Sequence, residues 1–357
     1  MSRKKRFGYI LLFIILNVVM YLLTFPVRIA PAAWTPPPAP ALTGQYAQNT
    51  RLSTIQKLPL GDGHKPEDVA LDADGKIYAG LEDGRIMVLQ ADGTQPHVFA
   101  NTYGRPLGLI FDREGNLIVA DAIKGLLSVN KAGEVTVLAE EADGVKFGCL
   151  NDLDIGADGT IYFTEASNKF PMSQFTSDLL EHQPNGRLLA LDPQSRRPRT
   201  LLRNIHFANG VAVSPDQTFV LVVETGEYRI RRVWLKEPKM GQNDVFIDNL
   251  PGFPDGISSN GHDRFWVALV TPRQAAFDRM LPHPFMRKMV ARLPKFMQPA
   301  PKRYSFVLGL DPQGRVVENL QNGSPDCFAE IANVVEHNGT LYFGSIGEDT
   351  VGRFALK

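Results

Sequence analysis

The chain has 357 residues, 44% of them hydrophobic, enough apolar material for a large folded domain, which excludes a disordered chain. Lys plus Arg and Asp plus Glu both total 38, so no net charge draws the protein toward nucleic acid. Cys149 and Cys327 stand alone in unlike contexts, which excludes a zinc-binding spacing or a disulfide framework and leaves open a single bridge between them.

The N-terminus differs in kind from the rest. Arg3, Lys4, Lys5 and Arg6 precede an uncharged run from Gly8 to Thr24, about 17 residues and so at the lower limit for crossing a bilayer. Basic residues on the leading flank hold that end in the cytoplasm and send the remainder across, to a periplasmic, luminal or extracellular location. Residues 1–30 therefore read as a cytoplasmic tip and transmembrane signal anchor. A cleavable signal peptide is the competing reading, because Ala30-Pro31-Ala32 resembles a small-residue cleavage site. Residues 31–50 form a Pro-rich linker in which Pro36, Pro37 and Pro38 favour extended polyproline II, which predicts a stiff stalk.

From residue 51 to the end an internal repeat organises the chain. Its copies are PEDVALDADGKIYAG from Pro66, PLGLIFDREGNLIVAD from Pro106, LNDLDIGADGTIYFTE from Leu150, ANGVAVSPDQTFVLVVE from Ala208, PDGISSNGHDRFWVAL from Pro254 and the looser IANVVEHNGTLYFGS from Ile331. Each alternates with period two around a turn such as Asp74-Gly75 or Asn338-Gly339, which predicts a β-hairpin. A second hairpin follows, as in GRIMVLQADGTQPHVFA from Gly84, so the repeat is four strands long. Six such repeats predict an all-β fold, a six-bladed β-propeller behind an N-terminal transmembrane helix. Lone apolar stretches at Leu52–Leu60 and Val351–Leu356 would close the ring if they paired within one blade.

The longest interruption, 271–303, mixes Phe277, Met280, Phe285 and Met286 with Arg279, Arg287 and Lys288, and part of it reads as a basic amphipathic helix. It is either an inserted loop packing on the propeller or a lid or membrane-surface contact.

Innermost strands of a propeller line its axis, so residues at one phase of successive copies meet in a ring. That phase holds Glu67, Leu107, Asn151, Asn209, Asp255 and, across a one-residue gap, Ile331 or Ala332. One Glu, one Asp and two Asn, with no Lys or Arg among them, are the oxygen donors a hard divalent cation takes, and Ca2+ fits best. Without a cation Glu67 and Asp255 would repel each other across the channel. One residue on, Asp68 and Asp152 either hold a second, deeper ion or bond to backbone amides at the strand ends. The glycines at this second phase, Gly108, Gly210 and Gly256, allow close backbone approach.

The phrases PEDVALD, GRPLGLIFD, VADAIKGLL, LNDLDI, FANGVAVSPD, ETGEYRIRRVWL and NLPGFPDGI together resemble the strictosidine synthase-like family over about residues 50–357. Paraoxonases and the senescence marker protein/gluconolactonase group are similar more distantly. The resemblance implies that Glu67, Asn151, Asn209 and Asp255 hold a catalytic calcium and that Asp68 and Asp152 hold a structural one. Gly256 stands where paraoxonases place a further Asn ligand, Leu107 where they place a histidine, and Ala332 where strictosidine synthase has its catalytic glutamate. Strictosidine synthesis is therefore not expected. The expected activity is calcium-dependent hydrolysis of a small-molecule lactone or aryl ester, with Asp255, or less directly Glu67, as base and with Leu107 and Ala332 lining the substrate pocket. His64 and His206 lie near the rim or in surface loops. The alternative is a non-catalytic, calcium-stabilised binding propeller.

Overall fold

A strand covered on both faces is apolar on both, and the centres of most middle strands of this chain are, with charged residues such as Arg187 and Asp121 near their ends, which places each of them between two neighbouring blades. In Gly186–Leu191, Leu188 and Ala190 pack into one apolar cluster with Val211 and Val222, while Leu189 and Leu191 pack into another with Ile118 and Leu150. Successive side chains point to opposite faces of a strand, so each such strand feeds two cores. The computed structural model, which describes residues 3–356, repeats this arrangement around a ring.

Blade one comprises Val69–Leu71, Ile77–Gly80, Arg85–Leu89 and His97–Asn101, and blade two Pro106–Phe111, Leu117–Asp121, Gly125–Val129 and Val135–Ala139. Blade three comprises Cys149–Ile155, Ile161–Ser167, Gly186–Leu191 and Pro198–Ile205, and blade four Ala208–Val213, Phe219–Glu224, Arg229–Trp234 and Asn243–Ile247. Blade five is Gly252–Ser259, Phe265–Pro272, Ser305–Leu310 and Val316–Asn322. Blade six takes Ile331–His337, Thr340–Ser345 and Thr350–Ala355 from the C-terminus and its outermost strand, Gln56–Pro59, from the start of the ring. Gln56 pairs with Arg353 and Pro59 with Thr350 in an antiparallel ladder, which is the closure the two lone apolar stretches predict. Apolar clusters fill all six blade interfaces.

Three departures from the repeat gather at one end of the ring. A helix α1, Arg3–Thr24, is apolar and long enough to cross a membrane and has no buried residue. A short helix α2, Phe175–Glu181, interrupts blade three. Helices α3, Ala275–Met280, and α4, Pro284–Ala291, occupy the insertion in blade five, the second where the basic amphipathic pattern predicts a helix. The last three helices share a core with Ile29, Tyr228 and Phe253, and form a cap.

The Pro-rich linker is extended, but it does not stand off as a stalk. Trp34 N–H donates to Leu281 O at 3.3 Å, and Arg273 and Asn249 donate to Pro37 O at 2.7 Å and Pro38 O at 3.0 Å. Polyproline II leaves its backbone carbonyls unpaired, and the surface of cap and blade satisfies them here. Both cysteines are buried and free, so the bridge left open by the sequence is not formed.

Candidate active site

The inner strands are irregular at their starts. The ladder to the second strand skips from Pro106 to Gly108, Leu150 to Leu153, Ala208 to Val211, Pro254 to Ile257 and Ile331 to Asn333. In blade one it begins at Val69, directly after Glu67 and Asp68. Bulged residues leave the regular pleat and are re-aimed, and here they are the residues at the phase singled out above. Glu67, Leu107, Asn151, Asn209, Asp255 and Ala332 surround one small cavity on the axis. The skip at 332 resolves the one-residue gap of the last copy in favour of Ala332, not Ile331.

Glu67, Asn151, Asn209 and Asp255 are all buried, and each also reaches the floor of a larger pocket above. Burial pushes the Asp255 carboxyl well up, the Glu67 charge adds to this, and the Asn209 amide offsets part of it. Burial also raises Glu67, less so because a cation stands beside it. No Lys or Arg stands at the phase itself; the cation comes from the loop that leads into blade two. Arg105 Nη2 donates to Glu67 Oε2 at 2.9 Å, with both side chains buried. Arg105 lies just before the repeat phrase, two residues before Leu107, and so carries no repeat signal in the sequence. It holds one Glu67 oxygen and leaves Oε1 free of that bond.

The second phase forms a lower tier. Asp68 accepts from Val69 N–H at 2.7 Å and, across the blade boundary, from Leu109 N–H at 2.7 Å. Asp152 does the same with Leu153 at 2.8 Å and Val211 at 2.9 Å. These carboxylates tie adjacent inner strands together through backbone amides and also line the small cavity on the axis. Burial pushes Asp68 up to about 7, and burial with the Asp68 charge raises Asp152 well above its ordinary value. Asn333, not identified from sequence, completes the tier: its Nδ2 donates to Asp68 Oδ1 at 2.5 Å. The bulge puts Asn333 in phase with Gly256, whose added Cβ would lie 2.5 Å from Asn333 Oδ1. An amide from the next blade thus fills the space beside Gly256, and the close approach this glycine permits is between blades.

Four buried carboxyls, those of Glu67, Asp68, Asp152 and Asp255, therefore line the channel, and the Arg105 guanidinium bonds one of them. The donors are all oxygen, which suits calcium, and burial disfavours their charged forms unless a cation joins them. By donor chemistry the residues fit a hard divalent ion.

The upper pocket, about 900 Å3 including its open mouth, has apolar walls from the cap and blades, among them Phe175, Leu179, Phe207, Phe253 and Phe277. Leu107 and Ala332, expected in the substrate pocket, are 1% and 2% exposed and line the narrower cavity beneath. Leu107 is instead packed with Ala122, Cys149 and Phe207. The pocket walls were not legible because α2 interrupts a blade without disturbing the repeat on either side.

His64 is exposed and 3.0 Å from Asp349, a surface pair. His206 accompanies His182 behind the cap, the rings 4.6 Å apart, with Glu227 3.3 Å from His182 and 3.5 Å from His206. Arg229 sits beside the same cluster, 2.7 Å from Glu224, which bonds His206 at 3.1 Å. The cluster joins α2 to blade four and does not line the pocket.

Comparison with known proteins agrees with this architecture. The family model for strictosidine synthase matches residues 151–238, and that for the strictosidine synthase-like N-terminal region matches 44–89. Strictosidine synthase-like protein 4 of Arabidopsis thaliana is 36% identical over 85% of this chain and 83% of its own. The human adipocyte plasma membrane-associated protein is 33% identical over 100% of this chain and 91% of its own. Among solved structures, a gluconolactonase from Xanthomonas campestris superposes with a TM-score of 0.63 at 18% identity, covering 93% of this chain and 99% of that one. Regucalcin from Agrobacterium tumefaciens, described as calcium-binding, does so with 0.61 at 16%, covering 85% and 95%. At such identities these two show the fold alone. With a full-length relative sharing a third of its residues, the chain belongs to the strictosidine synthase-like family of six-bladed β-propellers.

Proposed function

We propose that the protein is a membrane-anchored, calcium-dependent hydrolase of lactones or aryl esters, with its propeller on the extracytoplasmic side. The observation that supports this most is the convergence of Glu67, Asn151, Asn209 and Asp255, from four blades, on the floor of an apolar pocket. These four residues would hold the upper ion, and Asp68 and Asp152 a lower one. A bound calcium ion supplies Lewis-acid polarisation of the ester carbonyl oxygen. The apolar walls orient the acyl and leaving groups and exclude bulk water. Asp255, on the pocket floor beside Asn209, takes a proton from the attacking water as the new C–O bond forms. It returns that proton to the leaving alkoxide as the old C–O bond breaks. Arg105 favours the ionised form of Glu67 against the effect of burial.

The full chain in detergent or nanodiscs, assayed on phenyl acetate and a lactone panel, tests this. Chelation, Asn209→Ala and Asp255→Ala should each lower kcat/KM on the order of 10²–10⁴-fold. Turnover indifferent to all three refutes the reading.

A second reading, a calcium-stiffened binding propeller, is favoured by the apolar identity of Leu107 and Ala332. It is selected if calcium raises the Tm and no member of the panel is turned over.

A further inference from the structure

We propose that the capped end of the propeller lies flat on the bilayer that α1 crosses, and that the upper pocket takes its substrates from the lipid as amphipathic acyl esters or lactones. The substrate class rests on the hydrolase reading above; the orientation does not.

The anchor is fastened to the cap. Arg292, following α4, donates through Nε to Phe25 O at 2.6 Å and through Nη1 to Leu22 O at 2.7 Å, and Tyr21 Oη donates to Arg292 O at 3.2 Å. Arg287, within α4, donates to Ala32 O. The uncharged part of α1, Gly8–Thr24, is about 26 Å long, just enough to cross a bilayer core, with Arg3, Lys4, Lys5 and Arg6 beyond it on the cytoplasmic side. Its C-terminal turn therefore emerges from the hydrocarbon where α4 begins to pack on the following chain, and the docked linker gives no slack to lift the propeller away.

The surface beside that point is apolar. In the insertion Phe285 is 54% exposed, Met286 49%, Phe296 87% and Met297 56%. Tyr103 at 80% and Ile123 at 68% come from blade two. Asp121 pairs with Pro106 at the start of the inner strand, so Ile123, two residues on, and Tyr103, three before Pro106, lie at the same end of the channel as Glu67. Singly exposed apolar residues are ordinary, but six from three chain segments at one end, beside an anchor, mark a surface that meets lipid. Lys288 and Lys295 stand among them, placed to reach lipid phosphates. Exposed carboxylates stand at both ends, Asp74, Glu114, Asp158 and Asp216 in the far hairpin turns and Asp62, Glu82 and Asp83 at the capped end, so the contrast between the ends lies in the apolar residues.

The pocket opens on this side. Pro299, Ala300 and Pro301 form part of its wall, and they follow Phe296 and Met297 along the chain. A chain that dips Phe296 into the interface brings the pocket mouth to the depth of the ester groups of lipids, and an acyl tail can pass from the bilayer to apolar walls without crossing water.

Full-chain protein is placed in nanodiscs made with or without acyl-brominated phosphatidylcholine. The emission added by Phe296→Trp should be quenched by about half in brominated discs, and that added by Met240→Trp, on the far end, should not change. Equal emission from Phe296→Trp in both discs overturns the orientation. The triple variant Phe285→Ser, Phe296→Ser, Met297→Ser should lose about tenfold in turnover of a dodecanoyl aryl ester delivered in vesicles, with phenyl acetate turnover retained. Unchanged turnover of both esters overturns entry from lipid. Absence of turnover of either ester by the unmutated protein overturns the hydrolase reading and with it the substrate class, while the quenching result stands.

Discussion

The ring and the cap are built on different rules. In the ring each blade repeats one pattern, and the same alternation that makes a strand also fills two interfaces, so every blade is held by both neighbours. The cap is assembled from pieces with no common pattern, namely the linker, α2 and the 271–303 insertion, joined by one shared core and a few side chains bonded to carbonyls. The ring carries the oxygen donors on rigid strand starts, where placement must be accurate, and the cap supplies apolar walls, where it need not be. Chemistry retained on the ring with specificity altered in the cap is the division this architecture allows.

The most forceful way to sharpen the contrast is to load the ring alone. If calcium binds among Glu67, Asn151, Asn209 and Asp255, saturating it to a hundredfold over Kd adds about 2.7 kcal/mol to the unfolding free energy. The sign with pH follows from the raised carboxyls. Asp68 rises from 3.8 to about 7 in the fold, so in the metal-free protein its contribution to stability is complete below about pH 4 and is lost as the pH passes about 7. Asp152 and Asp255 shift in the same direction. An ion in the upper tier needs Asp255 ionised and one in the lower tier needs Asp68 and Asp152 ionised, so the benefit of calcium grows over that interval. Scanning calorimetry of the full chain should show a calcium-induced rise in Tm that is larger at pH 8 than at pH 5, in the transition of the ring. Equal Tm values with calcium and with chelator at pH 8 would remove the ion from the account.

A blow to the ring without the ion should also be felt throughout it. The Cβ of Gly256→Ala would meet Asn333 Oδ1 at 2.5 Å and Ala332 O at 2.7 Å, and because backbone of blade six must give way, the cost is about 1–3 kcal/mol. A melting temperature unchanged by this substitution would mean that blades five and six separate more easily than their packing implies.

How much could be read beforehand follows the same division. Glu67, Asn151, Asn209 and Asp255 share a phase because the bulge recurs at equivalent points, and a recurrent feature leaves a trace in sequence. Closure through Gln56–Pro59 was legible because two apolar strands without partners need each other. Arg105 was not, since it lies outside the repeated phrase and reaches Glu67 only through the meeting of blades one and two. Asn333 was hidden by the looseness of the last copy, although counting the bulge as an extra residue would have put it in phase with Asp68 and Asp152. In the cap, composition marked α4 as amphipathic but could not say what its buried side would meet, because docking of the linker is wholly tertiary.

That docking allows a test of whether ring and cap are separate at all. Arg287 is fully buried, and its partners are carbonyl oxygens rather than carboxylates: Leu180 O at 3.0 Å, and Ala32 O. One side chain thereby joins α4 to the end of α2 and to the linker, while its Nε finds no partner. Arg287→Met keeps much of the aliphatic volume and removes the charge. Charged hydrogen bonds are lost, relief from burying an unpaired guanidinium offsets part of that, and a net cost of about 1–2 kcal/mol remains. If the cap is its own unit, limited proteolysis should cut faster within 168–185 and 271–303, with the main unfolding transition of the ring in place. Loss of affinity for bulky esters with little change in kcat would accompany it, because the walls loosen and the oxygen donors do not. A main transition lowered as far as by Gly256→Ala would show instead that the cap is clamped to the ring so firmly that the two unfold together, and the pocket would then have to be treated as part of the propeller's own core.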